Sequence, residues 1–358
     1  MRASPLPRFF LAVYVLLVVY ATLYPLTGWR EPGGPAFAFL TAPWPRYVTA
    51  FDLAANFFAY VPYGLLCVLA VHARFSAGTA AAVAAVTGAV LSLLLESAQS
   101  YLPARIPSNL DVLANVAGAA AGGLAAALLA RWLLGGGPLQ RLHAQALTPG
   151  TAADLGLALL GLWLFAQLNP ATLLFGTGDL RDLVSGVRGE RHAAELFVTI
   201  EALTAAANLV AVTLLAAAVV RPRASRRQLF GLLAALLAAA LLVRTLAFAI
   251  LMGAEHVLGW LTPGAQLGLV AGVALALATL WLPRSARLAL AAMLLMAATV
   301  LVNLAPPNPY LAATLKVWEQ GHFLNFNGLT HLVSAAWPFA ALGYLAYLAS
   351  ARRRGPLR

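Results

Sequence analysis

Ten long apolar stretches constrain the fold of this 358-residue chain more than any other feature. A helix needs roughly 20 mostly apolar residues to cross the hydrocarbon core of a bilayer. Hydrophobic residues make up 62% of the chain and charged residues only 10%, which argues against a soluble globular protein. We therefore predict an all-α, polytopic transmembrane helix bundle of about ten spans. The stretches are residues 9–26, 53–72, 77–98, 112–134, 153–167, 196–220, 228–252, 264–282, 286–304 and 329–350.

The distribution of basic residues predicts how the bundle is oriented. An even number of spans puts both termini on the same side of the membrane. If that side is cytoplasmic, the inner segments hold 15 of the 23 basic residues and the outer segments hold 7, with Arg244 inside a span. The positive-inside rule therefore predicts cytoplasmic termini. The net charge of +11 is spread over short loops without interleaved aromatic residues, which favours contact with membrane lipids and no nucleic-acid partner.

Polar side chains interrupt the apolar pattern between residues 51 and 123. An ionisable group inside a transmembrane helix costs several kcal/mol unless it is paired or faces a polar cavity, so a functional pocket is one explanation. Polar contacts that hold packed helices together are the other. The candidate catalytic residues are Asp52, Glu96, Arg105 and Asp111, and the candidate substrate-binding residues are Asn56, Gln99, Ser108 and Asn115.

The spacing of these residues predicts that they share a pocket. Asp52 and Asn56 are four positions apart and so occupy one face of a helix, although Asp52 could also serve only as a helix-capping residue. The predicted orientation places the acids and Arg105 at the outer side, so we expect an outward-opening pocket in the outer leaflet. Pro62 and Gly64 should interrupt the second span, either beside a binding site or as a packing kink.

The polar positions of the first four spans also recur with fixed spacing. The pattern is Asp52-x3-Asn56-x5-Pro62-x-Gly64, then Glu96-x2-Gln99, then Arg105-x2-Ser108-x2-Asp111-x3-Asn115-x2-Gly118-x3-Gly122. Over about residues 9–134 it resembles the VanZ-like family of membrane proteins. That family is named for a protein linked to resistance to the glycopeptide antibiotic teicoplanin. The resemblance implies a multi-pass protein of the bacterial inner (cytoplasmic) membrane that acts in the cell envelope and in antibiotic resistance.

The chain is predicted to contain two membrane units. Residues 1–134 form a VanZ-like four-helix unit, residues 135–152 a linker that begins with Gly-Gly-Gly-Pro, and residues 153–358 a six-helix unit. In the second unit we expect the mixed charges of the loop at 169–195 to form a solvated, self-paired surface in preference to a binding loop. Glu201 and Arg244 differ in depth by only ~5 Å and are predicted to pair.

Two classes of function fit the polar pocket. In the first, the protein binds or acts on an anionic cell-envelope lipid or polysaccharide intermediate. Arg105 would then hold a phosphate or carboxylate, and the three acids would serve as acid, base or divalent-metal ligands. In the second, the same acids carry a cation or proton in a coupled transporter; a non-catalytic membrane scaffold is a third role. The sequence has no Ser-His-Asp series, metal box or phosphate-binding loop, so it leaves cofactors unknown and enzymatic activity open.

Overall fold

The computed structural model describes residues 6–45, 48–129, 141, 144–181, 193–221, 225–306 and 324–353. The chain divides into two compact units, unit 1 at residues 1–145 and unit 2 at residues 146–358. Residues 135–140 and 142–143 of the predicted linker lie outside the described residues.

Ten α-helices of at least 16 residues lie within the described part of the chain. Unit 1 contains α1 (Leu6–Leu23), α2 (Ala50–Val71), α3 (Ala77–Gln99) and α4 (Asn109–Leu128). Unit 2 contains α5 (Thr151–Ala166), α6 (Ala194–Val219), α7 (Arg226–Leu251), α8 (Pro263–Thr279), α9 (Arg284–Leu304) and α10 (Leu324–Arg353).

These helices confirm the all-α membrane class that the sequence predicts. Each falls on one of the ten predicted stretches, and eight are long and apolar enough to cross a bilayer. The other two, α5 and α8, have 16 and 17 residues and fall short of a typical span. The number of helices that cross the membrane and the cytoplasmic position of the termini stay predictions.

Glycines in unit 1 let the backbones of α2 and α4 come into contact. A Cβ on Gly118 would lie 2.1 Å from the Phe57 carbonyl oxygen, and one on Gly122 would lie 2.0 Å from that of Val61. From the opposite side, a Cβ on Gly64 would lie 2.0 Å from the Ala119 oxygen. Small residues at such positions permit close approach between membrane helices.

The predicted interruption of the second span is wrong. Helix α2 continues through Pro62 without a break. Proline removes one backbone donor, and such a residue is tolerated in a membrane helix where neighbours supply hydrogen bonds to the freed carbonyls. The Tyr14 hydroxyl of α1 donates to the Ala59 carbonyl next to this position, at 2.7 Å. Gly64 serves the contact with α4 described above.

Helix α6 forms the core of unit 2. In its most apolar window 78% of the residues are buried, whereas the other candidate spans range from 11% to 44%. It packs against α8 and α9 and also contacts α5 and α7. Glycines again set the closest approach, because a Cβ on Gly268 of α8 would lie 2.7 Å from the Ala202 carbonyl oxygen of α6.

The part of the loop after α5 that the structure describes, residues 167–181, is largely buried. Phe175 and Thr177 are fully enclosed, and the Thr177 hydroxyl donates to Asn208 in the middle of α6, at 3.4 Å. Asp179 and Arg181 do pair, at 2.6 Å, but they are half-buried. Burial tends to raise the pKa of Asp179, yet the hydrogen bonds from Arg181 hold it below its usual value. The loop's other charges, at 182–192, lie outside the described residues.

The predicted ion pair between Glu201 and Arg244 is also wrong. Arg244 is 2% exposed, and its guanidinium donates to the carbonyls of Gln167, Asn169 and Thr172, just beyond the end of α5. Glu201 lies beside Thr262 and attracts Arg244 only over a distance greater than that of an ion pair. The similar depth of Glu201 and Arg244 was not enough to predict a contact, because depth does not show which neighbouring helix or loop each side chain faces.

The α2–α4 contact predicts that Gly122→Ala will destabilise the protein. The added methyl group would enter space held by the Val61 backbone, and overpacking of this kind costs about 1–3 kcal/mol. The matched control is Gly78→Ala in the first turn of α3, where no atom lies within 4 Å of the added Cβ. That variant should be neutral or slightly stabilising. Thermal unfolding of the detergent-solubilised full chain compares the two, and equal stability would contradict the packing account.

Candidate functional site

The predicted site residues meet at one end of unit 1. Because the four helices follow each other up and down, the C-terminal ends of α1 and α3 lie at the same end as the N-terminal ends of α2 and α4. We call this region the polar end, and it comprises Asp52, Asn56, Glu96, Gln99, Arg105, Ser108, Asp111 and Asn115.

Glu96 connects α3 to the start of α4. It is only 3% exposed, and its Oε2 accepts a hydrogen bond from the Ser108 backbone N–H at 3.0 Å. Ser108 is the N-cap of α4, where its hydroxyl accepts from the backbone N–H groups of Leu110 and Asp111. The other oxygen of Glu96, Oε1, has no hydrogen-bond partner among the described residues. The carboxylate is therefore fixed in position by one oxygen only.

Arg105 binds the C-terminal end of α1. Its Nε donates to the Tyr24 carbonyl at 2.9 Å and its Nη2 to the Ala21 carbonyl at 3.3 Å. A cation at a helix C-terminus also interacts favourably with the helix dipole. Burial lowers the pKa of Arg105, and the nearby Glu96 carboxylate opposes that shift. Gln99 holds the same end of α1, because its side-chain amide donates to the Thr22 carbonyl at 3.0 Å.

The two aspartates lie in the first turns of α2 and α4. Asp52 accepts hydrogen bonds from the Thr49 backbone N–H at 3.1 Å and from the Thr49 hydroxyl at 2.7 Å, so it completes a capping box. The capping role considered for Asp52 is thus present in the structure. Asp111 lies beside the Asn56 side chain and within electrostatic range of Asp52.

A second polar layer lies one helical turn deeper. The Asn115 side-chain amide donates to the Ser92 hydroxyl at 3.0 Å, and the Tyr60 hydroxyl also lies beside Ser92. The Asn115 Oδ1 is buried and has no hydrogen-bond partner in the part of the chain that the structure describes. Sequence reasoning missed Ser92, although its position four residues before Glu96 places both on one face of α3.

The loop between α1 and α2 covers the polar end. Its backbone is attached at three points: the Arg30 N–H donates to the Tyr101 carbonyl, Ser100 donates to the Ala36 carbonyl, and Asn109 donates to the Ala42 carbonyl. Apolar side chains of this loop and of the α3–α4 connector remain exposed around the cover. They are Leu26, Trp29, Phe37, Leu40, Trp44, Tyr101 and Ile106.

The structure thus brings most of the predicted residues together, in different roles. Glu96, Arg105 and Asp111 interact electrostatically and form the centre of the polar end. Gln99 turns toward α1, and Asn115 lies in the deeper layer. Across the described part of the chain, no three His, Cys, Asp or Glu side chains are grouped in a way that could hold a metal ion.

Apolar helices of spanning length and a half-buried polar cluster at one end of the first four define a multi-helix membrane protein. The model of the VanZ/LLP1 family matches residues 10–130, which include nearly all of α1 and the whole of α2 to α4. This match confirms the VanZ-like resemblance of the N-terminal unit. It covers about a third of the chain. The search of curated proteins found no match, and neither did the search of solved structures.

The bond between Glu96 and Ser108 predicts different stabilities for two variants of Glu96. Glu96→Gln keeps an oxygen that can accept from the Ser108 N–H, so its stability should stay near that of the parent. Glu96→Ala leaves a buried donor without an acceptor, which costs about 1–3 kcal/mol. Thermal unfolding of the solubilised full chain measures both, with Glu31→Ala, an exposed loop acid of unit 1, as the control. If the Gln and Ala variants lost the same stability, the hydrogen bond would not be what Glu96 contributes.

Proposed function

We propose that unit 1 binds an anionic lipid or glycan intermediate of the bacterial cell envelope at the outer face of the inner membrane. Arg105 contacts the anionic group of this ligand. The proposal rests on the hydrogen bonds of the Arg105 guanidinium. Its Nε and Nη2 donate to carbonyls at the end of α1, whereas Nη1 has no hydrogen-bond partner among the described residues. Arginine is suited to this role because it stays charged and recognises phosphate and carboxylate groups by geometry.

The two bonds to α1 prepare Arg105 for binding. A side chain whose orientation is already fixed loses less conformational entropy when a ligand arrives, which favours affinity. Glu96 adds an acceptor for the same ligand, because its Oε1 has no hydrogen-bond partner among the described residues and could accept from a hydroxyl group. A guanidinium next to a carboxylate suits a ligand in which a phosphate or carboxylate lies close to hydroxyl groups, as in a sugar phosphate.

The cover of the polar end supports a ligand that comes from the membrane. Trp44 and Ile106 are exposed next to the polar end, and Ile106 is 88% exposed. Aromatic and apolar side chains of this kind favour the headgroup region of a bilayer. An envelope lipid could keep its acyl chains in the outer leaflet while its headgroup reaches Arg105.

Coupled transport of a cation or proton is the alternative function, and the packing of unit 1 argues against it. A conduit needs polar groups that continue across the membrane. Below the layer of Tyr60, Ser92 and Asn115, the next turn consists of Gly64, Gly88 and Ala119 in close contact. A Cβ on Gly88 would lie 2.5 Å from that of Ala119, which leaves no space for an ion. Binding, or chemistry at the outer face, fits this closed floor better.

The VanZ-like resemblance extends the proposal to antibiotic response. A protein that binds an envelope intermediate could change how cells respond to a glycopeptide antibiotic, the effect for which the family is named. A non-catalytic scaffold role would also fit the resemblance, but it would not account for Nη1 of Arg105, which has no hydrogen-bond partner among the described residues.

The proposal predicts that Arg105→Lys will lose the ligand while the protein still folds. Lysine keeps the charge, but it lacks the planar guanidinium that can bond the α1 carbonyls and a phosphate or carboxylate at the same time. Mass spectrometry of lipids that co-purify with the full chain should show an anionic envelope species enriched over the bulk membrane in the parent. In Arg105→Lys the enrichment should fall by roughly tenfold, the loss of a charge-assisted contact worth about 1.4 kcal/mol.

The matched control is Tyr14→Phe, which removes a hydrogen bond between α1 and α2 without touching the polar end. It should keep the enrichment despite a similar small loss of stability. If Arg105→Lys retained the enriched species at the level of Tyr14→Phe, Arg105 would serve only to cap α1, and the anionic-ligand proposal would fail.

A further inference from the structure

Five arginines gather at one end of unit 2. The helices of unit 2 alternate in direction, so this end contains the C-terminal ends of α6 and α8 and the N-terminal ends of α5, α7 and α9. The Thr148 backbone N–H, just before α5, donates to the Val219 carbonyl at the end of α6. We call this region the basic end, and its arginines are Arg221, Arg226, Arg227, Arg284 and Arg287. Among the described residues, the acid at this end is Asp154, which is buried in α5. The region therefore has a large excess of positive charge.

The arginines of α7 and α9 stand at the wrong ends of their helices for intrinsic stability. Both helices begin with a first turn that contains arginine and no acid. The N-terminus of a helix carries partial positive charge, so acids are favoured there and cations are not. In α9 the N-cap is Pro283, which makes no side-chain capping bond. An anion bound at such a helix start would reduce this repulsion.

Hydrogen-bond donors at the basic end also lack acceptors. Arg284 donates from Nη2 to the Ala218 carbonyl at the long distance of 3.5 Å. The Nε atoms of Arg284 and Arg287 are shielded from solvent and have no acceptor among the described residues. The two guanidinium groups are close enough to repel each other. Leaving the donors of a charged group unpaired is costly, so a ligand that supplied acceptors to these two arginines would be stabilised here.

A tryptophan connects the two helix starts and points to the membrane surface. The Arg226 guanidinium lies 4.5 Å from the centre of the Trp281 ring, which brings the start of α7 beside the turn before α9. Trp281 is nevertheless 65% exposed. An exposed tryptophan at the end of a membrane helix typically lies at the level of the lipid headgroups.

We infer that the basic end binds the phosphate of an anionic phospholipid headgroup, with Arg226, Arg284 and Arg287 as the contacts. Arg284 and Arg287 lie within electrostatic range of each other, and Arg226 contacts Trp281 in the turn that leads to them. Neighbouring guanidinium groups suit a phosphate, which accepts paired hydrogen bonds from arginine. The lipid is the source because the arginines flank apolar helices, on the side predicted to be cytoplasmic, where anionic headgroups attract basic residues. This site belongs to unit 2 and does not depend on the function proposed for unit 1.

The experiment titrates the detergent-solubilised full chain with short-chain phosphatidylglycerol, phosphatidylcholine or inorganic phosphate and follows the rise in Tm. Binding to the folded state stabilises it by RT ln(1 + L/Kd), where L is the free ligand concentration, so the dependence of Tm on ligand concentration yields an apparent affinity. The parent should bind phosphatidylglycerol, bind phosphatidylcholine at least about tenfold more weakly, and respond little to phosphate alone.

Arg287→Gln is the main variant, because it leaves the contact between Arg284 and Ala218 in place, and Arg226→Gln on the surface of α7 is the second. Each should weaken phosphatidylglycerol binding by roughly tenfold. The control is Arg74→Gln, an exposed arginine in the α2–α3 turn on the same predicted side, which should bind like the parent. Equal affinity in Arg287→Gln, Arg226→Gln and Arg74→Gln would overturn the inference. So would equal binding of the two lipids, or a response to inorganic phosphate that matches that to phosphatidylglycerol.

Discussion

A helix that ends inside or near a bilayer leaves backbone carbonyls that water cannot reach, and the protein itself must supply donors for them. Two buried or half-buried arginines meet this need. Arg105 binds carbonyls at the end of α1, and Arg244 binds carbonyls just beyond the end of α5. In the sequence Arg105 and Arg244 look like functional charges. In the structure each donates hydrogen bonds to backbone carbonyls at or just beyond the end of a helix. Glu96 has a comparable task, because it accepts from the backbone N–H of Ser108.

These tasks use only part of each side chain, and the unused part gives the polar end its chemistry. Nη1 of Arg105 and Oε1 of Glu96 have no hydrogen-bond partner among the described residues. Each is oriented by the bonds that the rest of its group makes. Below them the layer of Ser92 and Asn115 ends on a tightly packed turn that contains Gly64 and Gly88. The result is a cluster of polar side chains above a closely packed floor, an arrangement that does not continue as a channel.

The sequence predicted the helices well and their contacts only in part. Run length located all ten helices, and the interruptions of the apolar pattern identified Asp111 and Asn115, which lie beside polar groups of α2 and α3. It could not reveal that Arg105 reaches back to α1, because such a contact depends on the path of a connector. For Glu201 and Arg244 depth was estimated from sequence, but the direction in which each helix turns its side chains was not. Nor could the sequence show that α2 continues through Pro62, because the helices packed around α2 are not visible in its own sequence.

The central claim, a ligand pocket open to the outer face, depends on which side of the membrane the polar end occupies. Cys67 is buried and is the only cysteine, so in a Cys67→Ser background single cysteines can report that side. Ile106→Cys lies in the exposed connector of the polar end, and Ala73→Cys lies in the exposed turn at the opposite end of unit 1. A membrane-impermeant thiol reagent should label position 106 in intact cells and position 73 only after permeabilisation. Labelling of position 73 but not position 106 in intact cells would contradict the account.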